Sequence, residues 1–236
     1  MIITKTPFRI SFIGGGSDII RKKMRIPGSV ISTTINKYIY VLLKESFNDE
    51  FIIKYSKVEK VKNIKDIKHA LIRNILLHKK VKKKLEINII SDIPSSGSGL
   101  GSSSSLTVGL IKAINRLHNI NNSNYDVAIE AQYIEEKLLK NKIGFQDHFN
   151  ASFGGLRKYI FKKNKVVKNI NLNNKINELM LKKNIIVFYS GINRKAKKIL
   201  NYIDYKNKTK IYDDISLLTN KFYKNLKKIN TICLVK

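Results

Sequence analysis

Cysteine is almost missing from this chain of 236 residues, where Cys233 stands alone. A single thiol excludes an internal disulfide framework and fits a reducing compartment, so the expected location is cytoplasmic. No apolar run reaches membrane-spanning length, and no membrane partner is expected. Residues 1–16 lack the basic start, apolar stretch and small-residue cleavage site of a secretory leader. His69, His78 and His118 lack metal-ligand spacing, and no internal repeat is present. Acidic residues are scarce, 17 Asp and Glu against 46 Lys and Arg, for a formal net charge of +29. Such a charge normally raises nucleic-acid binding. Arginine-rich clusters are absent, however, and the lysine excess travels with Ile and Asn. Together 39 Lys, 38 Ile and 25 Asn make up 102 of the 236 residues. Adenine- and uracil-rich codons serve all three, so an AT-rich genome accounts for the charge and no nucleic-acid partner is expected. The basic field would still help to gather anionic substrates in a salt-dependent way.

What is present reads as a mixture of strand and helix clusters, an α+β chain without strict βαβ alternation. Residues 1–13 predict a strand ending in a glycine turn. Residues 29–46, rich in β-branched and aromatic side chains, predict two strands meeting near Asn36 and Lys37. A short strand is expected over residues 51–55. Ile67, Leu71, Ile72, Ile75 and Leu76 recur at helical spacing, and residues 85–90 alternate as a strand. Two amphipathic helices follow over about 102–118 and 124–140, then a short one from near Phe145 to Gly154. Asn164 and residues 169–174 read as turns or a linker, and residues 185–189 as a buried strand. Helices are expected from about Arg194 and over about 211–228.

The densest punctuation is Pro94-Ser95-Ser96-Gly97-Ser98-Gly99-Leu100-Gly101-Ser102-Ser103-Ser104-Ser105, entered from a strand and left by an apolar-periodic helix. Glycines let the backbone approach a ligand closely and adopt positive φ. The N–H groups of the next helix's first turn, with its dipole, favour an anion. Serine hydroxyls add donors for phosphate oxygens. A flexible Gly/Ser linker is the bland alternative, but it would not carry Leu100 in its middle or be bounded by Ile93-Pro94. The loop lacks the Lys-Ser/Thr ending of a Walker A and the glycine spacing of the dinucleotide fingerprint.

Two other stretches join it. In Pro7-Phe8-Arg9-Ile10-Ser11-Phe12-Ile13-Gly14-Gly15-Gly16-Ser17-Asp18, the turn brings backbone amides to a polyhydroxyl ligand. Asp18 there can accept hydrogen bonds from hydroxyls, and Arg9 supplies a fixed cation; a plain hairpin turn is the alternative. In Gly144-Phe145-Gln146-Asp147-His148, Asp147 reads as a functional carboxylate or as a helix-capping acid. Upstream, Glu135 and Glu136 are otherwise a solvated pair on a helix.

These stretches resemble the GHMP kinase superfamily, the galactokinase, homoserine, mevalonate and phosphomevalonate kinases. Ser98-Gly99-Leu100-Gly101-Ser102-Ser103-Ser104 matches the family's ATP-binding motif, and residues 7–18 its first motif. Two departures stand out: four residues separate Pro94 from Gly99 where two or three are usual, and Phe145 stands where sugar kinases often carry lysine. The resemblance implies ATP and Mg²⁺ as cofactors, with ATP on Ser98, Gly99, Leu100, Gly101, Ser102, Ser103 and Ser104. It implies substrate contacts from Gly14, Gly15, Gly16, Ser17 and Asp18. Asp147 would be the catalytic base, oriented by Arg9, and Ser103 with Glu135 would hold the metal, Glu135 fitting the register better than Glu136. His148 would be a neighbour rather than a participant. The implied fold is a ribosomal S5 domain 2-like N-terminal domain over residues 1–170, which binds ATP and substrate. An incomplete ferredoxin-like C-terminal domain would follow over residues 171–236.

Gly28 to Tyr38, the serines 102–105 and Tyr189-Ser190-Gly191-Ile192-Asn193-Arg194 resemble one branch, the D-glycero-D-manno-heptose 7-phosphate kinases. Transfer of the γ-phosphate of ATP to the anomeric hydroxyl of that sugar phosphate is therefore expected, with a small-molecule substrate as partner. A homo-oligomer is left open. Another sugar or a mevalonate-like alcohol is the rival acceptor, and a non-catalytic nucleotide- or sugar-binding relative the rival class. Family members continue well past this length into a late glycine-rich motif that residues 1–236 do not contain. Reduced stability or activity is expected of so short a chain, to be measured against a longer one.

Overall fold

A computed structural model describes residues 1–19, 25–94, 98–162, 165–174, 178, 181, 183–188 and 209–234. The expected helix from Arg194, the Tyr189–Arg194 stretch, and Ser95, Ser96 and Gly97 of the serine-rich loop lie outside the described residues. The architecture is α+β, and the chain divides into two compact units. One holds Met1–Arg9 and Ile35–Gly154; the other holds Ile10–Thr34 and Gly155–Lys236.

The elements are β1 (Ile2–Ile13), β2 (Gly28–Glu45), β3 (Phe51–Lys54), β4 (Val58–Val61), α1 (Ala70–His78), β5 (Leu85–Ser91), α2 (Ser102–Leu117) and α3 (Asn124–Tyr133). Then come α4 (Gln146–Phe153), β6 (Arg157–Lys162), β7 (Lys165–Asn171) and α5 (Thr209–Leu234). No described helix is long and apolar enough to cross a membrane.

In the first unit β5 is the hub. It pairs antiparallel with β2, Ile39 opposite Ser91 through Glu45 opposite Leu85, and parallel with β3. β3 in turn pairs antiparallel with β4. Period-two burial of Ile39, Val41 and Leu43 sends one face of β2 into the core, where Leu71, Ile72, Ile75 and Leu76 of α1 meet Val108, Leu110, Ile111 and Ile114 of α2. Burying each such side chain is worth about 1.5–3 kcal/mol. α2 is central: Ser104 to Ile111 and Ala113 to Asn115 are all buried. It also approaches β1 unusually closely. A Cβ on Gly109 would lie 2.7 Å from Thr6 Oγ1, and Thr4 Oγ1 donates to the Gly109 carbonyl at 2.9 Å. Near the start of α2, Ser105 Oγ donates to the Pro7 carbonyl at 2.8 Å, which brings that end of the helix beside Arg9.

In the second unit the N-terminal end of β2 pairs with β6, and β6 with β7. Ile31, Leu156 and Leu172 form its small core, with Tyr223 and Leu226 of α5 packed against it.

Four expectations are corrected. β2 is one continuous strand through Asn36 and Lys37, because its two ends are paired by different neighbours, β6 and β5, and need no turn between them. Residues 169–171 belong to β7: Asn169 pairs with Tyr159 and Asn171 with Arg157, so ladder bonds override the turn preference of asparagine. Residues 185–188 are not in a strand, and Ile186, Val187 and Phe188 are exposed; an apolar run alone has no ladder partner to make it one. The helix over 124–140 is α-helical only to Tyr133 and continues as a π-helical turn over Ile134–Leu138, closed by the Leu139 N–H on the Ile134 carbonyl at 3.1 Å. One strand, β4, had no sequence signal.

Candidate active site

Gly101 opens α2. It sits in the left-handed region, φ +78° and ψ +28°, and offers no side chain to cap the helix. Gly99 is also left-handed, at φ +72°. Non-glycine residues pay about 1–2 kcal/mol for that conformation, so the glycines are needed for the path of the loop. With no capping side chain at Gly101, the first turn presents N–H groups and a positive dipole end, the general makings of an anion site.

Arg9 braces this loop from behind. Its backbone N–H donates to the Leu100 carbonyl at 3.0 Å and its Nη1 to the Gly99 carbonyl at 2.6 Å. The same guanidinium grips Asp147 with two bonds, Nε to Oδ1 at 2.6 Å and Nη2 to Oδ2 at 2.7 Å. A fork-to-fork pair of this kind fixes the orientation of a carboxylate as well as its charge. The two side chains are 13% and 28% exposed, so the pair is shielded yet open on one side. Asp147 lies in the first turn of α4, whose N-cap, Phe145, makes no side-chain cap bond. A Cβ placed on Gly101 would stand 3.6 Å from the Asp147 carboxyl carbon, so loop and carboxylate adjoin.

The second carboxylate, Glu135, comes from the π-helical turn, an element that concentrates at functional sites. It is only 2% exposed. Ser103 Oγ donates to its Oε2 at 2.6 Å; Thr107 Oγ1 lies 2.8 Å from its Oε1, and His148 Nε2 lies 3.0 Å from the same atom. Burial pushes the Glu135 carboxyl up, but the bonded His148 ring, its charge and the two hydroxyls outweigh this and hold it below the usual carboxylate range. Glu136 turns elsewhere, bonding Gln132 one turn back. Ser103 and Thr107 share a helix face by their spacing of four, a signal that sequence reading can use. His148 carried no such signal; only the fold brings it to Glu135.

The turn after Arg9 belongs to the second unit. Ser17 is fully buried, its Oγ donating to the Gly14 carbonyl at 2.7 Å and accepting from the Ser29 N–H at 3.1 Å. Asp18 is buried as well, and its Oδ1 accepts from the Gly16 N–H at 3.2 Å. Gly15 is exposed.

Beside the first turn of α2, within the first unit, lies a cavity of about 1150 Å³. Ser102, Ser103 and Leu106 form its wall on α2, and Tyr55, His69 and Asp92 stand among its other lining residues. Tyr55 and His69 meet edge to face at 4.9 Å. Both are set by the buried Glu59, which accepts from Tyr55 Oη and from the N–H groups of Lys68 and His69 at the start of α1. Burial raises the Glu59 pKa, but these bonds and the nearby His69 charge prevail and leave it lowered. None of these residues stood out in the sequence, since each is an ordinary residue until the fold gathers them.

Residues 61–155 match the GHMP kinases N terminal domain. The chain is 32% identical to the D-glycero-alpha-D-manno-heptose 7-phosphate kinase of Campylobacter jejuni, over 92% of this chain and 66% of that one. It is 27% identical to the mevalonate kinase of Methanocaldococcus jannaschii, over 91% of this chain and 70% of that one. Among solved structures, a D-glycero-D-manno-heptose 1-phosphate kinase from Bacteroides thetaiotaomicron superposes with a TM-score of 0.68 at 25% identity, covering 75% of this chain and 61% of that one. The chain thus spans just under two thirds of the length of the Campylobacter kinase. Taken together, the match of residues 61–155 to the GHMP kinases N terminal domain and these likenesses support placing the chain with the GHMP kinase superfamily.

Proposed function

We propose that this chain is an ATP-dependent kinase that moves the γ-phosphate onto a hydroxyl of a sugar phosphate, in first place the anomeric hydroxyl of D-glycero-D-manno-heptose 7-phosphate. The observation that carries this reading is the Asp147 carboxylate, held in a two-bond grip by Arg9 and adjoining the loop that opens α2. Phosphoryl transfer needs positioning and charge neutralisation more than covalent chemistry. The backbone amides of residues 98–104 bind the phosphates. Asp147 takes the proton of the attacking hydroxyl, and Arg9 keeps that carboxylate aimed while adding positive charge. The cavity beside Ser102 and Ser103 accepts the rest of the nucleotide. Gly14, Gly15, Gly16, Ser17 and Asp18 are assigned to the sugar phosphate, Ser17 by shaping the turn from inside.

Ser103 Oγ and Glu135 Oε2 are hard oxygens 2.6 Å apart, a donor set that suits Mg²⁺, which commonly takes one carboxylate and completes its shell with phosphates and water. When bound, that ion neutralises phosphate charge. Thr107 and His148 hold Glu135 in place for it. The division into a ribosomal S5 domain 2-like part and a ferredoxin-like part belongs to the same reading.

The acceptor is supported by likeness to the Campylobacter heptose kinase, and a mevalonate-like alcohol by likeness to the Methanocaldococcus enzyme. A panel of sugars, sugar phosphates and mevalonate with ATP, read by ADP release, separates them: the heptose 7-phosphate is expected to release ADP fastest, and mevalonate alone doing so would replace the acceptor. ATP binding with no release on any acceptor would make the chain a non-catalytic relative. Asp147→Asn is expected to cut turnover by about 10²–10⁴-fold while ATP still binds. Unchanged turnover would remove Asp147 from the role of base.

A further inference from the structure

The C-terminal end of α2 carries a second pocket, of about 540 Å³, lined by residues of α2, the loop after it and the start of α3. Lys112, Asn115 and Arg116, at i, i+3 and i+4 on one side of α2, line it. Asn115 is 96% buried on its residue surface, being 4% exposed, yet neither Nδ2 nor Oδ1 has a hydrogen-bond partner among the described residues. Its backbone carbonyl is already used, accepting the Ile120 N–H at 2.8 Å. A buried amide left without partners costs about 1–3 kcal/mol, so one that persists calls for a ligand or ordered water. Burial lowers the Lys112 pKa, and among the described residues its Nζ meets only neutral oxygens, Asn124 Oδ1 at 3.0 Å and the Ser152 carbonyl at 3.1 Å. The Arg116 guanidinium makes no hydrogen bond or ion pair among the described residues. The opposite wall is Asn119, Asn121 and Asn122 of the loop with Asn124 at the start of α3, and no carboxylate lines the pocket among the described residues.

We infer that this pocket is a second binding site, separate from the phosphate loop, for a small oxyanion carrying a hydroxyl or protonated oxygen, such as a phosphate or phosphorylated small molecule. Arg116 presents a planar fork matched to two oxyanion oxygens, and Lys112 adds a partly desolvated charge. On binding, the Asn115 side chain turns out from beneath the pocket wall, so that Nδ2 donates to a third oxygen and Oδ1 accepts from the ligand's O–H, which satisfies both orphaned atoms at once. A general basic surface would offer the charges but not the buried amide.

Inorganic phosphate titrated into the ¹⁵N-labelled chain tests this, against chloride at matched ionic strength. The Asn115 side-chain amide is expected to shift saturably with phosphate and not with chloride. Arg116→Gln, at an exposed position, should weaken that shift about tenfold or more while shifts of the loop amides at 99–104 persist. Asn115→Leu removes that reporter, so it is read at the backbone amides of Asn119, Asn121 and Asn122: their phosphate-dependent shifts should be lost while the chain stays folded, because the new side chain is of similar size. Equal shifts in phosphate and chloride, or a phosphate shift that survives Arg116→Gln unchanged, would mean that the pocket holds water alone and would overturn the site. Because the loop amides are read separately, failure here leaves the proposed nucleotide site standing, and the reverse.

Discussion

Gly14-Gly15-Gly16-Ser17-Asp18 and Gly99-Leu100-Gly101-Ser102-Ser103 look like two copies of one device. In each, the first and third residues have positive φ: +95° and +91° in the first turn, +72° and +78° in the second. Their surroundings are opposite. A Cβ on Gly14 would sit 1.9 Å from the Ser29 carbonyl oxygen, and one on Gly16 would sit 2.7 Å from Tyr212 Cε1. A Cβ on Gly99 would meet nothing within 4 Å, and on Gly101 nothing nearer than Arg9 Cγ at 3.3 Å. The first turn is therefore glycine because the chain packs against it. The second is glycine because of its backbone path, and it keeps open space where a ligand can approach.

The sharpest way to break this contrast is Gly14→Ala. Strain at positive φ adds to overlap with a backbone oxygen that cannot swing away, so a loss above about 4 kcal/mol is expected, seen as loss of cooperative thermal unfolding. A variant melting within a few degrees of the parent would refute the packing account. Next comes the brace of the second turn. Arg9→Lys keeps the charge but loses the fork, and is expected to cost about 1–3 kcal/mol in denaturant unfolding, together with a lower ATP turnover. An unaltered midpoint and rate would mean that the loop is self-supporting.

Gly99→Ala is predicted to be milder for the fold, about 1–2 kcal/mol, because only φ is strained. Nucleotide affinity, measured by calorimetry, should fall more than stability does; the opposite order would erase the difference between the two turns. The smallest effect concerns the cavity wall. Glu59 has a lowered pKa in the folded chain, so its stabilisation is full above the unfolded value near 4.3 and is lost as pH falls through the lower folded value. In acid unfolding, Glu59→Gln should be less stable than the parent at neutral pH and should lose less than the parent in that acidic window. Parallel curves would show that Glu59 does not set the Tyr55–His69 wall.

Much of the site could be read from residue order. The glycine and serine spacing at 98–104, entered from a strand and left by the periodic face of Leu106, Leu110 and Ile114, marks a loop at a helix start, and α2 begins at Ser102. The choice of Glu135 over Glu136 also rested on register, and it is Glu135 that meets Ser103. What escaped is what depends on partners far along the chain. β4 is four residues long and lacks a pattern of its own. The continuity of β2 through Asn36 and Lys37 is set by two different neighbours. His148, Thr107 and Glu59 gain meaning only from the groups beside them, and a histidine or threonine alone signals little.

Local chemistry alone determined the glycine turns, the amphipathic helices and the residue types able to bind phosphate and carry a proton, because φ preference and periodic burial act over a few residues. Only the tertiary structure decided that Arg9 reaches 138 positions along the chain to hold Asp147, that a π-helical turn delivers Glu135 to Ser103, and that the Asn115 side-chain amide is buried without a partner among the described residues. Those outcomes depend on distances between segments remote in sequence, which packing of α2 against β1 and its neighbouring helices sets and no short stretch of residues encodes.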